Sequence, residues 1–594
     1  VQERLNQAYG DEPPEAEFSR CWKMAFFGPT LAFLVMALVV ISLGILFSAR
    51  TVTVDTMQGA LQGRQLSVLG RRVFAFLGVP YGESTAGQRR FAPPIPIVQW
   101  KHKLTAVKHG PPCPQGALPV GFVPFEMEPS EDCLHLNVWT PHHPGRCKTP
   151  CSLLPVLVLL YGRDLENGWN GAYDGSLLAS MGNVVVVVPN FRLGVFGFLN
   201  AASSDAPGNV ALLDQILALQ WVRENIASFG GNSSEVTLLG HGSGATSAGY
   251  HLLNRKDMAL HWLLRRFIFH SGTPFRLSRD NTRRARHNFR ALAQRLACAN
   301  PDDADSAELL SCLRNRNASE ITVAATRMKR ELGLYIGPLF GPSFNAYPLE
   351  GEEPWKLRKV LSGDENRDVL VGSVLNEGGR WISWHANSSR EASGRSVEGF
   401  ESLARLCSRQ LDQLILPEEN HRNLLAIYKL NDNAPERPEL PASSRLAQWR
   451  RLLADVFFVC PVLFWAAELS RVGSRLRMFR FGGARASDEP DTSGPFVDDL
   501  SMVLGGPLLS KSASRQHGDL SSRVLRTWVS FARDGIPPAV SKNVKWPEFS
   551  SLAPVILDIV PSGFVLRNLS EVAVSCSALY PLLYKWQGHQ MRSR

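Results

Sequence analysis

The feature that most constrains the fold is a run of five consecutive valines within residues 183–190. A β-branched run of this length, closed by a proline, is typical of a strand buried on both faces. Residues 154–162 and 368–373 have the same apolar character, whereas residues 209–230 place apolar side chains at helical spacing and end at two glycines. This alternation predicts an α/β fold with a large, mixed, mostly parallel sheet that helices cover on both faces.

Composition excludes several classes of protein and leaves a globular one. The 594 residues are 44% hydrophobic and 20% charged, unlike disordered, collagen-like or coiled-coil chains. A net charge of +10 permits an acidic partner without requiring nucleic acid, and we predict none. The basic clusters Arg265-Arg266 and Arg283-Arg284-Arg286 are interpreted as solvated faces. With neither a phosphate-binding loop nor an H-E-x-x-H pattern in the sequence, we predict no cofactor.

An uncharged segment near the start predicts a membrane anchor. Residues 24–48 contain no charged side chain, and 25 residues of helix at ~1.5 Å each can cross a ~30 Å hydrocarbon core. The alternative is a cleaved signal peptide, but its apolar region is shorter and is followed by small residues. We therefore predict a short cytoplasmic tail at 1–23, a signal-anchor at 24–48 and an ectodomain at 51–594.

The predicted orientation is type II, at the plasma membrane. Flanking charges do not settle it, but a large C-terminal domain translocates largely regardless of charge. Four N-glycosylation sequons follow the anchor and support an extracellular domain. They lie at Asn232, Asn317, Asn387 and Asn568.

The ten cysteines suit an oxidising compartment. Cys113 and Cys133 enclose one loop, and Cys298 and Cys312 another, although spacing alone does not assign pairs. A further group is His142, His143, Cys147 and Cys151. It can be interpreted as a zinc site, a Cys147–Cys151 link or free thiols, and we predict no metal because structural zinc sites need a matched second half.

Residues 235–253 predict a strand, a sharp glycine turn and a helix, and the turn reads G-H-G-S-G-A at 240–245. Eight other segments carry further motifs. They are FLGVPYG (76–82), RRFAPP (89–94), SEDCLHLNVWTP (130–141), FRLGVFGFL (191–199), GNVALLDQILALQWVRENIASFGGN (208–232), FHSGTP (269–274), VDDLSMVLGGPL (497–508) and WVSFARDGIPP (528–538). With these motifs the chain resembles the carboxylesterase/cholinesterase family of α/β-hydrolases over essentially residues 51–594.

The resemblance implies one hydrolase-fold domain and a specific set of disulfides. The pairs would be Cys113–Cys133, Cys298–Cys312 and Cys407–Cys576, with Cys460 free. It also implies homodimers through two C-terminal helices, for which residues 520–532 and 577–586 are the candidates. Core packing explains the apolar side chains of those segments equally well.

The catalytic triad of the family is degenerate at the matching positions. Its nucleophile aligns with Gly242, its base with Phe496 and its acid with Glu377. Glycine has no side chain that could attack a carbonyl, and a phenyl ring cannot accept a proton. The retained carboxylate of Glu377 would therefore have no base to orient. Ser243 lies one residue after the nucleophile position. Because a triad depends on the geometry of its members, we do not expect Ser243 to replace the nucleophile. His241 aligns with a buried glutamate of the family and is interpreted as a packed histidine.

The oxyanion loop is altered as well. The family has glycines after a strand, and this chain has Gly162, Arg163 and Asp164. Side chains would crowd the loop, and Asp164 would bring negative charge toward a developing anion. The loop between Cys113 and Cys133 also lacks the tryptophan with which choline-binding members hold a quaternary ammonium.

Together these features predict a pseudoenzyme that resembles the cholinesterase-like adhesion molecules, with the anchor-first layout of the neurotactin type. Its partner would be a cell-surface or secreted protein. Two alternatives stay open: a small-molecule-binding pseudo-esterase that uses the emptied gorge, and a carboxylesterase with weak or altered activity. A hydrolysis assay separates the second from the others, and a ligand-induced melting shift identifies the first.

Overall fold

The protein is described by a computed structural model. The described residues are 36, 51–116, 127–144, 152–254, 257–277, 282–298, 305–334, 336–344, 346–349, 367–375, 377, 405, 407–411, 416–430, 442–482, 499–550, 554–569 and 574–585. Residues 52–594 form a unit of their own, and the fold described below lies within it, apart from the first residue of its first strand.

One large sheet organises the domain. The strands are β1 (Thr51–Thr56), β2 (Gly59–Val68), β3 (Arg71–Pro80), β4 (Leu104–Thr105), β5 (His135–Thr140), β6 (Leu154–Leu160), β7 (Val185–Pro189), β8 (Asn200–Ser203), β9 (Ala206–Pro207), β10 (Gly231–His241), β11 (Leu264–His270), β12 (Asp368–Val374), β13 (Arg475–Phe481), β14 (Val555–Val560) and β15 (Gly563–Asn568). In the described part of the chain the sheet runs β1-β2-β3-β5-β7-β6-β10-β11-β12-β13-β14-β15, with β4 beside β2. Strands from β7 to β14 in this order are parallel, and antiparallel pairs flank them.

Helices connect the strands. They are α1 (Ser176–Gly182), α2 (Gly194–Phe198), α3 (Val210–Asn225), α4 (Ser243–Leu253), α5 (Met258–Leu263), α6 (Thr282–Arg295), α7 (Ser306–Asn315), α8 (Ala318–Glu331), α9 (Glu418–Ile427), α10 (Ala442–Ala454), α11 (Cys460–Arg471), α12 (Asp499–Leu504), α13 (Gly506–Leu509), α14 (Arg515–Asp534) and α15 (Val574–Tyr580). A π-helical turn joins α10 to α11, and another follows α15.

The main sequence predictions of secondary structure are confirmed. The valine run forms β7, and every residue of that strand is buried because parallel and antiparallel neighbours flank it and helices cover both faces. The apolar segments 154–162 and 368–373 form β6 and β12. The helical spacing in 209–230 forms α3 and a 3₁₀ turn.

One sequence interpretation of a surface segment is revised by burial. Arg266 was expected on a solvated face, but it is only 7% exposed and pairs with Glu235 at 2.5 Å. The reason is that it lies on the central strand β11, where a cation needs a partner. The candidate dimer segment 520–532 lies within α14, and much of it is buried, with Val524 and Trp528 fully inside. The second candidate segment contains the end of α15, where Leu579 is buried.

The disulfides confirm two predicted pairs and correct the third. Cys113–Cys133 and Cys298–Cys312 are bonded. The predicted Cys407–Cys576 bond is wrong: Cys576 bonds Cys460, with Cα atoms 5.2 Å apart, and Cys407 is the free, buried thiol. The first turn of α11 packs beside α15, which brings Cys460 to Cys576, and that proximity was not visible in the sequence. Residues 147 and 151 lie outside the described residues.

The predicted membrane anchor falls on residues 24–48, of which only Met36 is described, in a helical turn. Among the described residues, one helical stretch, Ser444–Arg471, is long and apolar enough to cross a membrane. Its most apolar window is 72% buried inside the fold, so it is a core helix of the domain. The anchor at 24–48 stays a prediction.

Candidate functional site

The site lies at the carboxyl end of the parallel strands, where β10 turns sharply into α4. Gly242 forms the apex with φ 58° and ψ −120°, a backbone conformation that side chains strongly disfavour. Its N–H donates to the His270 carbonyl at 2.8 Å. Two residues on, Gly244 sits so close to β6 that a Cβ would lie 2.0 Å from the Leu160 carbonyl oxygen. The predicted strand–turn–helix is therefore confirmed, with its strained apex on Gly242.

The space above the apex is filled by backbone. A Cβ built on Gly242 would lie 2.7 Å from the carbonyl oxygen of Gly162, on the loop that follows β6. Separations under 3.0 Å are not tolerated by real Cβ atoms unless something shifts. A side chain at the nucleophile position would therefore have to displace the loop above it.

Ser243, one residue after the apex, is bonded to the loop that follows β6. It is the first residue of α4 and its side chain is fully buried. Its Oγ accepts a hydrogen bond from the N–H of Leu165 at 2.8 Å, and its own N–H donates to the Gly162 carbonyl at 3.1 Å. The hydroxyl thus ties the helix to the loop, in the role of a structural hydrogen-bond partner.

The loop that matches the oxyanion loop, residues 162–167, is closed on itself. The N–H of Arg163 donates to the Asn167 carbonyl at 2.9 Å, and the N–H of Asn167 returns a bond to Arg163. Asp164 and Leu165 both adopt positive φ, at 52° and 61°, which makes this turn tight. An oxyanion hole needs N–H groups that point at the reacting atom, and those of Arg163, Leu165 and Ser243 are used within the fold.

A partly buried carboxylate holds this loop to the neighbouring helix. Glu166 forms an ion pair with Lys329 of α8 and accepts a hydrogen bond from the N–H of Leu339 at 2.9 Å. Burial raises the pKa of Glu166, and Lys329 opposes that effect only in part. The sequence analysis did not single out either residue, because they are 163 positions apart.

The residue before the apex belongs to a largely buried cluster that we call the elbow cluster: His241, His270, Asp499 and Trp528. Asp499 opens α12 and is fully buried. One carboxylate oxygen contacts His241 Nε2 at 3.1 Å, and the other contacts His270 Nδ1 at 2.9 Å. Trp528 of α14 donates its indole N–H to His270 Nε2 at 2.7 Å. The cluster joins the ends of β10 and β11 to two helices.

The hydrogen bonds of the elbow cluster assign its protons. His270 Nε2 accepts from Trp528, so its proton is on Nδ1 and is donated to Asp499. Burial works against the charge of Asp499, but His241 and His270 outweigh it and hold the pKa of that carboxyl well below its usual range. The ionised carboxylate accepts from both imidazoles, which leaves no acceptor nitrogen aimed at Gly242 from His270.

The predicted triad positions are brought together only in part. Gly242 is at the apex, and Glu377 follows β12 on the same edge of the sheet, buried with 6% exposure. Phe496, at the position of the base, lies outside the described residues. The described residue nearest to it in sequence is Asp499, which belongs to the elbow cluster.

Sequence reasoning interpreted His241 as a packed histidine and missed its partners. Asp499 and His270 lie in two of the quoted motifs, VDDL and FHSG, so their identities were visible and their contact was not. The side chain of His241 is 19% exposed, whereas that of its partner Asp499 is fully buried.

No metal cluster is formed by the described residues. Of the cysteine- and histidine-rich segment at 142–151, His143 packs edge-on against Phe74 and its Nδ1 contacts the Pro144 carbonyl at 2.6 Å. The two cysteines of that segment fall outside the described ranges.

Comparison with known proteins agrees with this architecture. Acetylcholinesterase of Bungarus fasciatus is 32% identical over 528 residues, which cover 84% of this chain and 81% of that protein. Carboxylesterase 1C of Mus musculus is 30% identical over 534 residues, covering 84% of this chain and 87% of the relative. Residues 50–575 match the carboxylesterase family. The strained turn at Gly242, the mostly parallel sheet and these matches lead to one conclusion: the chain belongs to the carboxylesterase family.

Proposed function

We propose that this protein is a catalytically inactive member of the family, anchored as a type II protein of the plasma membrane. Its ectodomain would act in cell adhesion or as a receptor by binding a cell-surface or secreted protein. The observation that carries the loss of catalysis is the apex of the elbow, where Gly242 has no side chain and the Gly162 carbonyl oxygen occupies the space above it.

Three further features support the loss of hydrolysis. The only hydroxyl at the turn, Ser243, is buried and bonded to the loop. The position of the base holds Phe496, which cannot accept a proton. The N–H groups of Arg163 and Ser243 are satisfied by backbone carbonyls and would have to be released before they could stabilise an oxyanion. Each feature alone lowers the rate, and a triad fails when any of its members is lost.

The proposed placement outside the cell has separate support. The uncharged segment 24–48 is long enough to span a bilayer. Three described disulfides close loops in the domain that follows. Two sequon asparagines, Asn317 and Asn568, are exposed, and Asn232 is half-buried. A disulfide-linked hydrolase fold with surface loops can present a binding surface without a nucleophile.

The first experiment tests for a reactive serine. The full chain, solubilised in mild detergent, is incubated with an excess organophosphate probe and its intact mass is measured. We expect no adduct under conditions that label acetylcholinesterase to completion. A stoichiometric adduct on a serine would contradict the proposal and favour a carboxylesterase with altered activity.

The second experiment tests adhesion. Cells expressing the full chain are mixed with untransfected cells and with cells that carry candidate partners, and aggregation is counted. A variant truncated within the surface domain is not used as the control, because it can misfold; cells expressing only the anchor 1–50 fused to an unrelated soluble domain serve instead. Aggregation at the level of this control with every cell type would count against the adhesion role.

A further inference from the structure

Helix α6 carries an unusual concentration of positive charge. Its 14 residues include five arginines and one histidine, and no acidic residue. With its neighbour α8 it accounts for eight Lys and Arg against two Glu, in a chain whose net charge is +10. Much of the net charge of the protein therefore lies on two adjacent helices.

The spacing of the arginines separates them from the core face of α6. Ala285, Asn288, Phe289, Leu292 and Ala293 are buried. They recur at helical spacing, so Arg286, His287 and Arg290 fall on the opposite side of the helix. Asn288 fixes the helix by donating to the Leu339 carbonyl at 2.8 Å.

Helix α8 packs beside α6 and carries further exposed arginines. Arg295 at the end of α6 pairs with Glu331 at the end of α8 at 2.5 Å, which ties the two helices together. Lys329 turns inward to Glu166, whereas Arg327 and Arg330 are exposed. We call the exposed side chains Arg286, His287, Arg327 and Arg330 the basic face.

The chemistry of the basic face fits a polyanion better than a folded protein. Every exposed residue of α6 for which burial is described is polar: Arg286, His287, Gln294 and Arg295. Protein interfaces draw their affinity from aromatic and apolar anchors. The described exposed residues of α6 supply none, and α8 exposes a single large apolar side chain, Val323. Arginine instead offers a planar fork of donors that matches phosphate and sulfate oxygens. From Arg286 to Arg295 the helix spans ~14 Å, which is long enough to contact several charges of a linear polymer.

We propose that the basic face is a binding site for a sulfated glycosaminoglycan. Short arginine-rich segments on a helix are typical of heparin-binding patches, because their summed field attracts densely charged polymers. The inference rests on one part of the proposed function, the placement of the domain outside the cell, because such polymers lie there. The binding itself is independent of whether the elbow hydrolyses esters.

The test measures binding of the detergent-solubilised full chain to immobilised heparin over a series of NaCl concentrations. The variant Arg286→Ala/Arg327→Ala/Arg330→Ala removes three exposed charges. We expect a loss of affinity on the order of tenfold near 0.15 M NaCl, and a salt slope smaller by about 2–3, since each released counterion adds to that slope. The three side chains are exposed, so the variant should fold, and an unchanged melting temperature verifies it.

A matched control removes the same number of charges elsewhere. Arg526, Lys542 and Lys545 are exposed on and after α14, and their triple alanine variant should bind heparin within about twofold of wild type. Equal losses in the two variants would overturn the proposal, because binding would then reflect net charge alone. Competition by poly-glutamate as effective as that by heparin would also overturn it and would favour an acidic protein partner. Unsulfated hyaluronan should compete at least tenfold less well than heparin.

Discussion

Two buried polar networks in this domain serve different purposes. The first, which we call the scaffold pair, joins Arg192 to Asp214 of α3 by two hydrogen bonds of 2.7 and 2.8 Å, with both side chains at most 2% exposed. The second is the elbow cluster around Asp499, where His241 keeps 19% of its side chain accessible. The scaffold pair is shut off from solvent, whereas the elbow cluster reaches the edge of the site.

The two networks also differ in how tightly their partners are fixed. Arg192 also donates to the Ala92 carbonyl at 2.7 Å, so its donors lock three segments together. Changing either partner would leave a buried charge alone. At the elbow, two imidazoles share one carboxylate, so each oxygen of Asp499 has a hydrogen-bond partner. The turn therefore has a strained apex on Gly242 beside a hydrogen-bonded cluster that contains no serine or cysteine.

The largest effect is expected at the scaffold pair. Asp214→Ala leaves the Arg192 guanidinium buried without its anion, and should lower the free energy of unfolding by about 3–5 kcal/mol. Chemical denaturation of the full chain in detergent measures this. The double variant Arg192→Met/Asp214→Leu should recover part of the loss, because no charge is then stranded. A single variant as stable as wild type would show that the pair is not a scaffold.

A disulfide that belongs to neither network provides a reference value for the loss of stability. Cys460→Ser should cost about 2–5 kcal/mol, because the Cys460–Cys576 bond closes a loop of over one hundred residues. Cys407→Ala should cost much less, because Cys407 forms no disulfide; burial raises the pKa of its thiol to about 12, which keeps it unreactive. Peptide mapping that recovered Cys407 bonded to Cys576 would contradict the pairing described here.

The elbow cluster should show an intermediate effect with a distinctive pH dependence. Asp499→Asn replaces a carboxylate that accepts from two imidazoles, at a cost of about 2 kcal/mol near pH 7. The pKa of Asp499 is lowered on folding, so its contribution is present above the ordinary pKa of about 4 and is lost as pH falls below it. The stability difference between wild type and variant should therefore shrink below about pH 4. Asp534→Asn, at an exposed position, is the control and should show no such convergence.

A modest loss of stability, comparable to that at the elbow cluster, and no gain of activity are expected at the apex. Gly242→Ser should lower stability by about 1–3 kcal/mol, because its Cβ would approach the Gly162 carbonyl and φ is 58°. Gly242→Ala introduces the same clash without a hydroxyl and should be equally destabilised. Neither variant should hydrolyse a p-nitrophenyl ester above background. Turnover by the serine variant alone would show that a base and an oxyanion hole are available after all.

Sequence reasoning succeeded where the signal was local. The valine run, the helical spacing of α3 and the glycine turn at 240–245 each predicted an element that the structure contains. It failed where the outcome depended on distant contacts. The partner of Cys576 was misassigned, and Arg266 was interpreted as solvated although it lies on a central strand.

The sequence by itself determined that Gly242 stands at the apex, because a glycine-punctuated strand–turn–helix is set by short-range backbone sterics. Only the tertiary structure decided where Ser243 points, because its hydroxyl is held by the N–H of Leu165, 78 residues away. The tertiary structure likewise made Asp499 the centre of the elbow cluster, through partners 229 and 258 positions distant. Local sterics can be read from neighbouring residues, whereas buried hydrogen bonds are chosen by whichever polar groups the packed strands and helices bring together.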